Sequence, residues 1–338
     1  MKIGITYNLR GEGEEKHAGV ADEDEEFDSP ETIEAIAGVL EQGGHSVERL
    51  GFGAEMIERL LASPPDAVFN IAEGFRGRSR ESQVPALLEM LSIPYTGSDP
   101  LTLALTLDKD LAKKIVSSRG LKTPGHLVLD TLRPLLEEDL QGLRSPLLVK
   151  PSYEGSSKGI RLASKVTTLD EVNEQVRWLF SDYGGPVMVE EFLDGPEFTV
   201  GILGNSPPRV LGVMMIRHRT LPPEDFLYSL EVKRDWENQV EYLAPPPVDD
   251  GLLLEIEELA LGAYQALGCR DVSRVDIRMR DGEPYFLEVN PLPGLSPEYG
   301  DLVMMARKKG RSYESLVLDI FDHARKRWEK DGRVAAGV

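Results

Sequence analysis

The segment VSRVDIRMRDGEPYFLEVN, residues 272–290, constrains this chain more than any other. Two runs of strand-like alternation flank Asp281-Gly282, which reads as a β-hairpin. The period of two places Arg274, Asp276 and Arg278 on one face of the first strand, and Glu288 and Asn290 on one face of the second. Loop length decides whether those faces coincide. A two-residue turn pairs Asp276 with Leu287 and sends Glu288 to the far side. A three-residue loop, residues 281–283, sets Asp276 opposite Glu288 and leaves Pro284 at a strand start, where its missing N–H is tolerated. Facing carboxylates repel by on the order of 4 kcal/mol at an effective dielectric of about 20, unless a cation lies between them. Asp276, Glu288 and Asn290 make an all-oxygen set suited to magnesium carrying nucleotide phosphates. The plain alternative is a solvated hairpin edge. Against it stands the apolar run Phe286-Leu287-Glu288-Val289, where a carboxylate without a task is costly.

The rest of the chain must present that hairpin to a ligand. KIGITY at residues 2–7 alternates like a strand, and residues 31–42 place Ile33, Ile36, Ala37 and Leu40 on one helical face before Gly43-Gly44 stops it. Further strands at 46–50 and 67–71 and a helix at 83–91 complete a βαβ rhythm, an open parallel sheet over roughly the first hundred residues. After Asp99-Pro100 a helix over 101–118 leads to strands at 126–129, 147–150 and 159–162. From Gly184-Gly185-Pro186 the texture changes to two strands, a proline-rich irregular stretch over 217–247 and an amphipathic helix over 252–267. The reading is an α/β and α+β protein in three parts: residues 1–100, 101–185 and 186–330.

KPSYEGSSKG at 150–159 resembles a phosphate loop without the Walker spacing. Lys150 ends an apolar strand and projects a point charge, while the following Gly/Ser backbone can form an anion-binding concavity, with Ser156 and Ser157 adding hydroxyls. A surface turn is the equally frequent explanation of such a stretch taken alone. Glu190 and Glu197, beside apolar Leu193, offer acceptors that suit a purine amino group and ribose hydroxyls; an acidic edge strand is the commoner origin of such a pattern.

Taken together and in order, these pieces resemble the ATP-grasp superfamily, and within it the D-alanine–D-alanine ligase family. The matching stretches are PYTGSDPLTLALTLDK (94–109), KPSYEGSSKGI (150–160), VEEFLDGPEFTVGILG (189–204), SRVDIR (273–278) and LEVNPLPGLSP (287–297). The resemblance implies a three-domain ATP-grasp fold with ATP held between the central and C-terminal lobes. It implies Lys109 and Lys150 on the ATP phosphates, Glu190 and Leu193 on adenine and Glu197 on ribose. It implies Asp276, Glu288 and Asn290 on two Mg2+ ions, for which Mn2+ can substitute. Arg274 would face an acyl phosphate, Gly294 would help form an oxyanion site, and Lys233 in LEVKRD resembles a mobile-loop lysine that reaches the transferred phosphate. The implied reaction activates a carboxylate with ATP and joins it to an amine. A homodimer is also implied.

The substrate side departs from the family pattern. Counting back from Gly43-Gly44 puts Ser29 at the family's serine and Phe27 where the family has a glutamate, so Glu26 or Asp28 must substitute after a one-residue shift. The tyrosine expected after Lys233 is Arg234, NIAEGFRGRSRES replaces a histidine-glycine pattern, and LPGLSPEYG replaces a serine-bearing stretch; Ser156 is retained. The acidic loop over 12–28 would favour a cationic substrate, and Arg76, Arg78 and Arg80 a carboxylate, although solvated charges explain both more simply.

These readings converge on an ATP-dependent carboxylate–amine ligase acting on amino acids or amino-acid-like metabolites. Dipeptide synthesis for peptidoglycan from D-alanine is the second reading, and a catalytically inactive ATP-binding scaffold the third. The formal charge of −20, from 38 basic and 58 acidic residues, disfavours nucleic acid and anionic membranes as partners. No run of about 18 apolar residues is available to span a bilayer, no secretory hydrophobic region follows Met1-Lys2-Ile3-Gly4, and a single cysteine, Cys269, excludes an internal disulfide framework. A cytoplasmic location is expected.

Overall fold

The computed structural model describes residues 1–11, 22 and 25–333. Most of the acidic loop over 12–28 lies outside the described residues; Asp22 and residues 25–28 are within them. Strand β1 (Lys2–Thr6) buries Ile3 and Ile5 completely. Helix α1 (Pro30–Gln42) starts at Ser29, whose hydroxyl accepts the Thr32 N–H at 3.4 Å, with proline in the first turn, where its missing donor costs nothing. Ile33, Ile36, Ala37 and Leu40 form its buried face, as their spacing requires. Next come β2 (Ser46–Gly51), α2 (Ala54–Ala62), β3 (Ala67–Asn70) and α3 (Gln83–Met90), with the parallel order β2-β1-β3.

The single helix expected over 101–118 is two. Helix α4 (Pro100–Leu107) and helix α5 (Lys109–Ser118) meet at Asp108, whose extended backbone breaks the run while its carboxylate accepts the Leu111 N–H at 3.1 Å. A second sheet follows, from β4 (His126–Leu129), β5 (Leu147–Pro151), β6 (Lys165–Val166), α6 (Leu169–Asp182) and β7 (Val187–Glu191), in the antiparallel order β4-β7-β5-β6. Because β7 pairs with both β4 and β5, this layer extends to Glu191, beyond residue 185. The strand expected at 159–162 is instead the end of a turn and a short 3-10 helix, because Gly159 sits at φ 70° with Pro151 filling the space where a side chain would point.

The third sheet is built from β8 (Glu197–Leu203), β9 (Arg209–His218), α7 (Leu230–Arg234), α8 (Trp236–Gln239), β10 (Val240–Leu243), α9 (Asp250–Ala266), β11 (Val272–Arg280) and β12 (Glu283–Asn290), and is followed by α10 (Asp301–Lys308) and α11 (Tyr313–Lys330). Its strand order is β10-β9-β8-β11-β12. The stretch over 217–247, expected to be irregular, contains α7, α8 and β10. No described helix is long and apolar enough to cross a membrane.

The hairpin resolves the register question in an unforeseen way. Arg280 pairs with Glu283, so the turn has two residues, Asp281 and Gly282, and yet Asp276 faces Glu288. A bulge reconciles the two. Pairing runs Arg278–Tyr285 and Ile277–Phe286, then slips by one so that Asp276 meets Glu288, with Leu287 as the extra residue. The three-residue loop is thus replaced by a short turn plus a bulge, and both carboxylates reach one face.

One hydrophobic core joins the first and third sheets, packing Ile3, Ile36 and Phe69 with Leu302, Val317 and Trp328. A buried carboxylate stitches this junction. Asp271, fully buried at φ 63°, accepts from the Gly97 N–H at 2.9 Å, Asn205 Nδ2 at 2.8 Å and Arg327 Nη2 at 2.6 Å. Asp271→Ala strands the buried Arg327 charge and should cost about 3 kcal/mol or more, whereas Asp271→Asn, which keeps an acceptor and tolerates positive φ, should cost less. Urea unfolding of the two variants tests the order.

Candidate active site

The bulged hairpin brings Arg274, Asp276, Glu288 and Asn290 together. Arg274 grips Asp276 with two bonds, Nε to Oδ1 and Nη2 to Oδ2, each 2.9 Å, and extends Nη1 to Asp301 at 2.9 Å. Asp276 also accepts from Thr199 Oγ1 at 2.8 Å and Asn290 Nδ2 at 3.1 Å. Its four lone-pair positions are therefore taken. Asp276 can ligate a cation only by giving up one of these partners, while the Asn290 amide oxygen carries no hydrogen bond among the described residues. Burial would raise the Glu288 pKa, but Lys109, Lys150, Arg274 and Lys233 hold it at about 2, so it is ionised. Two carboxylates and an amide oxygen, one carboxylate held anionic, fit a hard divalent cation.

Behind the hairpin lies a buried charge cluster. Glu190, on β7, pairs with Lys150 from β5 and, at 3.1 Å, with Lys113 from α5. Burial opposes its ionisation, yet Lys113 and Lys150 bring its pKa down to about 2. Lys113 is completely buried and donates to the Leu287 carbonyl at 2.8 Å; desolvation lowers its pKa to about 8. Sequence reading passed over Lys113. The available signal was its spacing, four residues after Lys109 on one helix face. Lys109 Nζ lies 3.3 Å from Glu288 and also reaches the Glu154 carbonyl.

Leu193 is buried, Leu148, Phe192 and Leu227 form a small apolar cluster, and Arg278 pairs with Glu197 at 3.1 Å. In the Gly/Ser loop Ser156 and Ser157 both adopt positive φ, 50° and 59°, and Ser157 Oγ donates to the Tyr228 carbonyl at 3.0 Å. This loop is closed from the other side by the N-terminal segment. Glu26 accepts from the Gly155 N–H at 2.6 Å, from Arg80 at 3.0 and 3.1 Å and from Lys158 at 3.4 Å. A Cβ on residue 155 would sit 2.4 Å from the Glu26 carboxylate. Asp22 adds a second clasp, accepting from the Gly159 N–H, Arg161 and Tyr183.

Other residues singled out from the sequence serve neighbours. Arg78 pairs with Asp108 and lies over Tyr153, Arg80 donates to Glu26 and to the Tyr153 carbonyl, and Ser29 caps α1. None of the three lines a cavity described below. Arg234 binds Glu25. Phe27 is buried against Phe75, while half-buried Asp28 faces the larger cavity.

Two cavities meet here. One of about 100 Å³ runs between the second and third sheets past Lys150, Glu190, Leu193 and Glu197. The other, about 500 Å³, lies between the third sheet and the N-terminal layer and is walled by Lys109, Ser156, Asn290, Gly294, Asp28 and Glu81. Tyr228, Lys233, Arg274, Glu288 and Asp301 line both. Lys233 is half-buried with Nζ 5.4 Å from the Tyr228 ring, and desolvation together with Arg274 lowers its pKa.

Two antiparallel sheets with a cleft between them, Lys150 and Glu190 on one side and Arg274, Asp276 and Glu288 on the other, make the frame of an ATP-grasp ligase. A family model described as D-ala D-ala ligase C-terminus matches residues 129–322. The chain is 34% identical to the D-alanine–D-alanine ligase of Aquifex aeolicus over 86% of its own length and 93% of that protein's, and 39% identical to that of Marinomonas sp. over 76% of each. The crystal structure of D-alanine–D-alanine ligase from Bacillus anthracis superposes with a TM-score of 0.77 at 26% identity, over 98% of this chain and 100% of that one; a complex of it with ATP gives 0.76. The chain belongs to the D-alanine–D-alanine ligase family, and is an ADP-forming ligase.

The buried cluster sets a pH dependence. The Glu190 pKa is depressed on folding, so its stabilisation is present above the ordinary carboxylate pKa and is lost as pH falls from about 4.5 to about 2. Glu190→Gln leaves Lys113 and Lys150 without their anion and should destabilise by on the order of 3 kcal/mol at pH 7. That deficit should shrink through the acid range, as read by denaturant midpoints at pH 7, 4 and 2.5.

Proposed function

We propose that this chain joins the carboxylate of an amino acid or amino-acid-like metabolite to an amine, with a substrate other than D-alanine on the carboxylate side. The observation that carries the reading is the meeting of the two cavities at Lys233, Arg274 and Glu288: one space is lined as a nucleotide site, the other is open to a second molecule, and only these charged side chains and their neighbours lie between them. In this reading adenine stacks among Leu148, Phe192 and Leu227, with Glu190 and Leu193 at its polar edge and Glu197 toward the ribose. Lys109 and Lys150 take the phosphates, and Ser156 and Ser157 close over them.

A carboxylate oxygen attacks the γ-phosphorus, ADP leaves, and an acyl phosphate remains. The amine then attacks the acyl carbon, loses a proton and expels phosphate. This sequence needs no protein nucleophile; it needs charge neutralisation and exclusion of water, because acyl phosphates hydrolyse. Lys233 and Arg274 neutralise the transferred phosphoryl group, and the Gly294 backbone takes part in holding the oxyanion. Asp276, Glu288 and Asn290 would hold magnesium, which would supply positive charge against the nucleotide phosphates. The closed Gly/Ser loop, pinned through Glu26 and Ser157, keeps water out. ATP places this chemistry in the cytoplasm, and a homodimer belongs to the same reading.

The names of its relatives favour a second reading, synthesis of the D-alanine dipeptide. The altered substrate wall weighs against it: Arg234 is paired with Glu25, and Phe27 is packed on Phe75. ADP release is to be measured over amino acids of both hands, singly and in pairs, with hydroxylamine present. A hydroxamate formed with an amino acid other than D-alanine supports the proposal, whereas efficient turnover of D-alanine alone supports the dipeptide ligase. Lys233→Met should lower kcat by about 100-fold, the loss typical of removing one charge-stabilising donor. If ATP binds but no amino acid yields ADP or hydroxamate, the acid substrate is not an amino acid and the proposal fails.

A further inference from the structure

The wall of the larger cavity facing Lys109 and Arg274 comes from two N-terminal segments. One runs between β1 and α1, the other between β3 and α3. Together they present five carboxylates: Glu25, Glu26, Asp28, Glu73 and Glu81. Two of these are occupied. Glu25 is bound by Arg234, and Glu26 by Arg80, Lys158 and the Gly155 N–H. Asp28, Glu73 and Glu81 receive no side-chain hydrogen bond or ion pair from any described residue, although Glu81 is only 9% exposed. The cations nearby are engaged elsewhere: Arg80 is turned to Glu26 and Tyr153, Arg10 donates to the carbonyls of Phe27 and Glu25, and Lys109, which favours the charged form of Glu81, lies on Glu288 and the Glu154 carbonyl.

Ionising a carboxylate as buried as Glu81 without a partner is costly, and half-buried Asp28 and Glu73 add like charge to the same wall when they ionise. An ordinary amino acid brings one ammonium to these three carboxylates, whereas a positively charged side chain brings a second cation.

We propose that the carboxylate substrate is an amino acid with a positively charged side chain, ammonium or guanidinium, received by Asp28, Glu73 and Glu81. This inference rests on the ligase reading, in which the larger cavity holds the acid to be activated. Its carboxylate lies toward Arg274 and Lys233, and its cationic end toward the N-terminal wall. The empty wall behaves as the proposal requires. Burial pushes Asp28 up to about 7 and Glu81 up to about 8, and burial together with Glu81 and Glu26 raises Glu73 as well. A cation bound at this wall would favour the charged form of each of them.

The test compares isosteric pairs that differ in charge: arginine with citrulline, and lysine with norleucine, in both hands. ADP release with hydroxylamine gives kcat/KM for each. The cationic member of at least one pair should be preferred by 100-fold or more, and Glu81→Gln and Glu73→Gln should each narrow that ratio tenfold or more. Equal use of neutral and cationic members, or a ratio unmoved by both variants, overturns the proposal while leaving the ligase reading intact. Thermal shifts with a non-hydrolysable ATP analogue supply a readout that needs no turnover. Stabilisation by arginine or lysine but not by citrulline or norleucine supports the cation site even if no hydroxamate forms, and equal or absent stabilisation in both pairs counts against it.

Discussion

Leu287 is the residue on which the site depends. It is the extra residue of the β12 bulge, and its carbonyl accepts a hydrogen bond from the wholly buried Lys113. Without the bulge, the period of two would turn Glu288 away from Asp276, and the acidic hairpin would present one carboxylate instead of two. The same lysine neutralises Glu190. One buried ammonium therefore couples strand register, the floor of the smaller cavity and the charge state of a carboxylate on another sheet.

Around that centre the larger cavity is assembled from loops held by charge. Glu26 is buried, which opposes its ionisation, yet Arg80 and Lys158 keep its pKa below the ordinary value, and it fastens the Gly/Ser loop through the Gly155 N–H. Asp22 fastens the end of the same loop at Gly159, and Ser157 ties it to the Tyr228 carbonyl. These bonds connect the N-terminal segment, the second sheet and the segment that carries Lys233. Each is between groups distant in sequence, so closing the cavity demands that all three layers be folded. Asp271 and the shared core of the first and third sheets supply that rigidity.

Much of this was legible beforehand. The amphipathic spacing of α1, the βαβ rhythm and the oxygen-rich hairpin each express a local rule, and each element lies where its periodicity places it. The facing of Asp276 and Glu288 was readable as a requirement, but the device was not, since a three-residue loop and a bulge satisfy it equally. Arg78 and Arg80 show the opposite limit. As a sequence they resemble a carboxylate site; in space Asp108 and Glu26 lie within 3.1 Å and claim their donors.

The sequence by itself determined the class of chemistry. Lysines at strand and helix ends, a Gly/Ser loop and carboxylates on a hairpin are set by local spacing, and local spacing survives without knowledge of the fold. Only the tertiary structure decided which charges remain uncompensated. Glu25, Glu26 and Glu81 look alike along the chain, but the first two meet cations from other layers and Glu81 meets none among the described residues. Pairing of buried charges depends on long-range packing, and in this protein that packing shapes the wall of the larger cavity.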